Sequence, residues 1–394
     1  MVTTAEPSTR RDVAWTMART LAHTAAEPSP ALRVPLARAA GLVLAEDLVT
    51  ATPLPTFDTA AMDGYAVAGP GPWRIVGAAR AGQEWAGRLV AGTAVEISTG
   101  AAVPPGAQAV LPVESTALTG GAVAGPEPPP GKHVRRIGED AGEGASLAPA
   151  GTRVGPALLG LAAACGYDDL LVHRAPTVRA VITGDELAHT GRPAPGRIRD
   201  ALGPLLPDLV AGLGGLLTGL FHVPDQPETA LRTAVDAADD AAVIIVTGST
   251  SVGVTDGLRR LLTELGADPI VDTVACRPGH PQLLARLPGG PLIVGLPGNP
   301  FAALAAAHTL LGPLLAGLSG RPLAALPRMP LTAPVRASPG RTRIIPVTWD
   351  GPGVRPIGRD RPAFLNGAAL ADALAAIPDN TDPGHPIPLL LLHP

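Results

Sequence analysis

The sequence predicts a multidomain α/β protein. Its centre is a three-layer α/β domain with a parallel-rich sheet. Around this come a helical N-terminal domain, an inserted β-rich domain and a small C-terminal β-barrel-like domain. From residue 176 onward, near-continuous Val/Ile runs alternate with helical patterns, as expected for a parallel sheet covered on both faces. Between 51 and 137, short β-like pieces are cut by glycine and proline and flanked by helical texture. The length of 394 residues exceeds one domain of roughly 100–200 residues, so roughly two to four domains are expected.

The elements follow in chain order. "DVAWTMARTLAHTA" (12–25) sets Val13, Met17 and Leu21 on one helical face. "VPLARAAGLVLAEDLVT" reads as a short helix and then a strand. "YAVAG", "WRIVGAA", "AVEISTG" and "QAVLPVES" are the strands of the insert. Helical patterning returns with "GPALLGLAAACG". The N-terminal domain is therefore 1–50 with 138–175, interrupted by the insert at 51–137.

The α/β domain spans 176–325. "TVRAVITG", "AAVIIVTG", "PIVDTVA" and "PLIVGLP" read as strands. "LGPLLPDLVAGLGGLL", "PETALRTAVDAADD", "DGLRRLLTELG" and "PFAALAAAHTLLGPLLAGL" read as helices. Residues 326–394 return to short strands ("RTRIIPVTW", "IPLLLLH") and form the C-terminal β domain.

Composition excludes several classes. Net charge is −4, which speaks against a nucleic-acid or membrane-surface binder, since either needs a basic stripe. Hydrophobic content is 46%, yet no uninterrupted apolar run reaches the ~18 residues of a membrane span. The first residues, "MVTTAEPSTRRDVAW", lack the apolar core of an export signal. Cys165 and Cys276 lie far apart and outside any metal-type spacing, which predicts buried thiols in a reducing cytoplasm. The 46 prolines and 47 glycines are dispersed and act as turn punctuation. Lys132 is the only lysine.

Three apolar strands end in glycine-bearing polar turns: Thr183-Gly184-Asp185-Glu186, Thr247-Gly248-Ser249-Thr250-Ser251-Val252-Gly253, and Pro297-Gly298-Asn299-Pro300. Any one of them alone is an ordinary strand-to-helix connection. Together, at the carboxyl edge of a parallel sheet, they predict a ligand site. Small residues let N–H groups crowd an anion, and a helix start near Asp256 adds positive dipole. Asn299 fits an N-cap and Pro300 the first helical position. Neither the Walker lysine nor GxGxxG is present, so the expected ligand carries phosphate but is no ordinary ATP or NAD. "CRPGHPQLL" adds Arg277 and His280, two potential cations for an oxyanion.

The loops also carry acids: Asp58, Asp63, Asp140, Asp185, Glu186, Asp225 and Asp256. Oxygen-only donors of this kind suit Mg2+, which bridges carboxylates and phosphate. Taken one at a time, each fits better as a cap or a solvated turn residue. In "PLPTFDTAAMDGYAV" (53–67), Asp58 and Asp63 have no basic residue nearby in sequence.

In order along the chain, "PLPTFDTAAMDGYAV", "ISTGAAVPPGAQAVLPVE", "VRRIGEDAGEG", "VRAVITGDEL", "TGSTSVGVTDG", "RPGHP" and "GLPGNPFAAL" resemble segments of the MoeA/gephyrin family, the molybdopterin molybdenumtransferases. The family's usual forms are close to FDNSAMDGYAV, TGDEL, SGGVSVG, KPGKP and GLPGNP. The resemblance implies an L-shaped homodimer of four-domain subunits. Its substrates would be adenylylated molybdopterin and molybdate, used with Mg2+. Molybdate is inserted into the dithiolene and AMP is released.

Carried over position by position, the resemblance implies Asp63, Asp140, Glu186 and Asp256 as catalytic acids, the first two reaching the partner subunit's cleft. Glu186, Asp225 and Asp256 would hold Mg2+. Pterin phosphate and nucleotide would lie on Thr183, Gly184, Gly248, Ser249, Thr250, Ser251, Gly253, Pro297, Gly298, Asn299 and Pro300. Arg277 and His280 stand where the family has two lysines, and Arg341 or Arg343 matches its oxyanion arginine.

Other departures are Ser249 and Thr250 in the second turn, and "RDALG", which keeps Asp200 but not the polar pair after it. The family's C-terminal serine aligns with Arg361 and Pro362. The alternative function is a diverged paralog that binds molybdopterin or nucleotide as a carrier, scaffold or regulator.

Overall fold

The computed structural model describes residues 11–226, 229–238, 240–248, 257–336, 338–379, 381 and 384–392. Its central sheet has six strands in the order Leu216–Val223, Thr177–Thr183, Val243–Thr247, Leu292–Leu296, Leu283–Arg286, Asp268–Val271. The first four are mutually parallel, and the last two join antiparallel. Alternation along each strand feeds two cores. Val178, Ala180, Ile182, Val243, Ile245 and Val294 face the helices Leu202–Gly212 and 300–318. Val181, Ile244, Val246 and Ile293 face Thr229–Asp236 and Gly257–Glu264. Both faces are thus buried, and this explains the unbroken apolar runs.

Two elements differ from the sequence reading. The helix expected over "LGPLLPDLVAGLGGLL" stops at Gly212, and the chain re-enters the sheet at Leu216. Gly214, at φ +91°, takes the left-handed turn that ends helices. The apolar residues beyond it fit either period. In the segment expected to be helical, Leu36–Ala39 and Pro156–Ala164 are helices. A three-stranded antiparallel sheet accompanies them: Ala31–Pro35, Asp169–His173 and Val43–Leu44. Ala31–Pro35 and Asp169–His173 show the two-residue burial alternation of strands.

The first helix, Trp15–His23, packs on the α/β core, with Trp15, Ala18 and Ala22 buried there. Trp15 Nε1 donates to Thr309 Oγ1 at 3.0 Å and Arg19 donates to the His308 carbonyl at 2.7 Å. The helix 300–318 is long and apolar enough to be a candidate membrane span, but 83% of the candidate window is buried within the fold.

The insert forms a six-stranded sheet ordered Ala109–Pro112, Gly64–Ala68, Thr93–Ile97, Trp73–Ala79, Ala122–Ala124, Ala117–Thr119. The C-terminal sheet runs Cys276–Arg277, Thr342–Asp350, Ala373–Ile377, Ile387–Leu391, Arg328–Met329, with Gly353–Pro356 paired to Thr342–Asp350. Its first strand comes from the α/β part of the chain, so this sheet joins the two parts.

One contact tests the docking of the first helix. A methyl group at Gly317 would sit 2.1 Å from the His23 carbonyl oxygen, a backbone atom that cannot swing away. Gly317→Ala is expected to destabilise the fold by about 1–3 kcal/mol, the usual range for overpacking. Denaturant unfolding measures this, and an unchanged midpoint would disprove the close packing.

Candidate functional site

Strand register brings the three sequence-predicted turns together. Ile182 pairs with Thr247, and Thr247 pairs with Leu296. The turns after these residues therefore leave the sheet at one carboxyl edge, the usual ligand position in α/β sheets. Thr183 Oγ1 donates to the Thr247 carbonyl at 3.0 Å. Gly248 has φ +78°, and a methyl there would lie 2.6 Å from Thr183 Oγ1. A methyl on Gly298 would lie 3.6 Å from Gly248 Cα. The backbones of the turns thus approach one another closely where glycine allows it. Thr247 Oγ1 is buried without a hydrogen-bond partner among the described residues.

Three acids sit on the same edge: Asp185, Glu186 and Asp225. A methyl on Gly184 would meet the Glu186 carboxylate at 2.8 Å, so this carboxylate lies back against the first turn. Thr183 pairs with Val223 on the neighbouring strand, two residues before Asp225. Asp225 Oδ2 accepts from the Asp185 amide at 3.2 Å, and Asp185 Oδ1 accepts from the Asp225 amide at 3.3 Å. Ser249, Thr250, Ser251, Gly253 and Asp256 lie outside the described residues.

The third turn departs from its expected capping. Asn299 is the N-cap and Pro300 the first helical residue, but the Asn299 side chain makes no capping bond. The Pro362 carbonyl accepts the Phe301 and Ala302 amides at 2.9 and 3.2 Å instead. These two donors are therefore committed to the C-terminal part of the chain.

Beyond Pro362 lies a cavity of about 560 Å³, lined by Arg277, Arg336, Ser338, Arg341, Arg343, Asp360, Arg361 and two prolines. Arg277 and Arg343 are register partners in a short parallel pairing. Arg343 donates through Nε and Nη2 to Asp360 Oδ2 at 3.1 and 2.6 Å, and through Nη1 to the Arg336 carbonyl at 2.5 Å. The other four guanidiniums have no carboxylate partner among the described residues. Five arginines against one aspartate give the cavity a positive field, suited to an oxyanion.

Arg336, Ser338 and Asp360 escaped the sequence reading, and Arg361 entered it only as a place where the family's serine is missing. The signal that could have found them is the density of arginine after residue 335. The cavity does not lack a hydroxyl, because Ser338 supplies one from a different segment than the one aligned at Pro362. His280 needs correction. It does not line this cavity; its Nε2 lies 2.7 Å from Asp12 Oδ1.

Asp58 and Asp63 lie on the insert and Asp140 just past its end, where three motif segments converge. Asp63 Oδ1 accepts from the Thr99 amide at 2.7 Å and from Thr99 Oγ1 at 3.0 Å. Asp58 does have a basic partner, distant in sequence: Arg136 donates to Oδ2 at 2.6 Å and the Ile137 amide to Oδ1 at 2.9 Å. The Asp140 amide donates to the Leu54 carbonyl at 2.9 Å, and its side chain is exposed. The Thr99 amide, then its hydroxyl, hold the exposed Asp63 carboxyl below its ordinary value.

Known proteins resemble the chain over nearly its full length. Residues 12–166 match the MoeA N-terminal region (domain I and II), 179–317 a probable molybdopterin binding domain, and 328–392 the MoeA C-terminal region (domain IV). A molybdopterin molybdenumtransferase of Synechococcus elongatus is 35% identical over 283 residues, 68% of this chain and 70% of that protein. Molybdopterin molybdenumtransferase 2 of Mycobacterium tuberculosis is 38% identical over 277 residues, 66% of this chain and 68% of that protein. A solved molybdopterin biosynthesis MoeA protein of Pyrococcus horikoshii superposes with a TM-score of 0.77 at 27% identity, covering 97% of this chain and 99% of that one.

The Asp63 geometry has a measurable consequence. A carboxyl lowered in the fold adds stability above its unfolded value, near 3.8, and loses it as pH falls through the folded value. Thr99→Val removes the hydroxyl donor but keeps the amide. The Asp63 titration, followed by carboxyl NMR, is expected to move part of the way back toward 3.8. An unmoved titration would show that the hydroxyl contributes nothing.

Proposed function

The chain belongs to the MoeA family, and from that premise we propose that it inserts molybdate into adenylylated molybdopterin with release of AMP. The protein is a molybdopterin molybdenumtransferase of molybdenum cofactor biosynthesis. The carrier or scaffold reading is not favoured, since the curated relatives that match two thirds of the chain bear the transferase name.

The observation that supports the finer reading is the pair of adjoining anion sites. Phosphate and pterin would rest on the turns at Thr183-Gly184, Gly248 and Pro297-Gly298-Asn299-Pro300. Molybdate, as substrate, would enter the arginine cavity. Arg277 and Arg341 orient the oxyanion there through forked N–H donors, Arg343 is held in place by Asp360, and Ser338 offers a hydroxyl. His280 has no part in this.

Glu186 and Asp225 offer the oxygen donors that Mg2+ favours, and Asp256 is the third acid assigned to that role. Mg2+ held there would supply charge neutralisation at the phosphate oxygens. Glu186 and Asp225 are exposed on the turn edge, accessible to such an ion. For the residues themselves, the reading gives binding and orientation: the turns fix the phosphate and the cavity fixes the oxyanion beside it.

Asp63 on the insert and Asp140 just past its end, both exposed, are proposed to complete the cleft of a second copy in a homodimer. Cys165 and Cys276 are both buried and unbridged, in keeping with the proposed cytoplasmic setting.

AMP release from adenylylated molybdopterin, measured with and without molybdate in the presence of Mg2+, tests the proposal. Molybdate is expected to stimulate release. Arg277→Ala should weaken that stimulation by roughly 10–100-fold, the usual range for a lost hydrogen bond to a charged group. His280→Ala should leave it nearly unchanged. Release that is indifferent to molybdate in the unaltered protein would overturn the reading.

A further inference from the structure

Outside the sites above, one group of three close metal-type donors occurs among the described residues: His189, Asp200 and His222, whose ligand atoms lie within 4.8 Å of one another. Three backbone segments build it. Leu187–Ala188 and Ile198–Arg199 pair in parallel, Leu187 with Ile198 and Ala188 with Arg199. The next residues along these strands are His189 and Asp200, and the Asp200 amide donates to the Ala188 carbonyl at 3.1 Å. His222 comes from the edge strand of the large sheet, opposite Ile182. The rings of His189 and His222 stand with centroids 4.1 Å apart at 59°.

The carboxylate is pre-set. Asp200 is 6% exposed. Its Oδ1 accepts from the Leu202 and Gly203 amides at 2.9 and 3.0 Å, and its Oδ2 lies 2.8 Å from His222 Nε2. A methyl on Gly203 would fall 2.3 Å from Oδ2, so the carboxylate fills the space that glycine leaves. Burial pushes its pKa up, but the Gly203 amide, His222 and the Leu202 amide outweigh burial and hold it below the ordinary value. Its orientation is fixed by backbone donors, as that of ligating carboxylates commonly is.

We propose that His189, Asp200 and His222 bind one late first-row divalent metal ion, of the zinc, cobalt or nickel class. Two imidazoles and one carboxylate favour such an ion over Mg2+, which prefers oxygen. Both histidines are exposed, so one coordination position faces solvent. Ligand atoms on a tetrahedral ion at about 2.0–2.2 Å would lie about 3.3–3.6 Å apart. The His222–Asp200 contact of 2.8 Å would therefore open by about 0.5–0.8 Å on binding, within the reach of an exposed ring. His189 makes no hydrogen bond among the described residues. A purely structural Asp200–His222 pair gives it no role, whereas a metal site does.

This distinction sets the experiment. Co2+ alone is titrated into the full chain and followed by visible d–d absorption, with calorimetry for stoichiometry. The expected result is one saturable site per chain, emptied by Zn2+ and left intact by excess Mg2+. His189→Ala leaves the Asp200–His222 contact in place, so its fold should survive, as a matching far-UV spectrum would verify. It is expected to bind Co2+ at least about tenfold more weakly. Absence of saturable binding, equal binding by His189→Ala, or displacement by Mg2+ would each overturn the proposal. None of these readouts depends on AMP release, so the site and the transferase reading stand or fall separately.

Discussion

Two residues of parallel pairing hold the rest of this site together. Cys276 lies beside Thr342 and Arg277 beside Arg343, which fixes two guanidinium-bearing backbones side by side at the joint between the α/β sheet and the C-terminal sheet. Like charges in one cavity repel, and a flexible joint would let them separate. Here the strand fixes them, and Asp360 neutralises only Arg343. An anion entering there would relieve the remaining repulsion, so the pairing that brings the guanidiniums together would favour an oxyanion.

The joint also links the cavity to the turn edge by a short path. Gly298 sits against Gly248, and Asn299 and Pro300 lead directly into the helix whose amides hold the Pro362 carbonyl. Pro362 lines the arginine cavity. A phosphate on the turns and an oxyanion among the arginines would thus be positioned by one continuous stretch of backbone. The helix N-terminus serves as a structural clasp here, because its first free donors are already used.

Much of the central domain was legible because burial on both faces writes unbroken Val/Ile runs, and because register then forces the turns to one edge. The helix boundary at Gly214 was less so, since "GLGGLL" satisfies both periods. The small N-terminal sheet hid among apolar residues also compatible with helix. The fate of His280 could not be read locally, since Asp12 lies 268 residues away. The same holds for Asp58, whose partner Arg136 comes 78 residues later. Arg336, Ser338, Asp360 and Arg361 sit in loops without periodicity, and only the folded joint gathers them.

His280 stands outside the cavity that Arg277 lines. A histidine among the arginines would gain or lose its charge near neutrality, and oxyanion affinity would follow. Instead the imidazole faces Asp12, and the cavity keeps guanidiniums, which stay charged throughout the physiological range. A lysine in place of Arg277 would hold the same charge as a mobile point with its own solvation. Arginine forks hold it in planes, and the Asp360 bond fixes one plane relative to the strand that carries the others. Arg277 therefore keeps one of the two cationic positions while making its geometry stricter, and strict geometry discriminates among oxyanions of similar charge by shape.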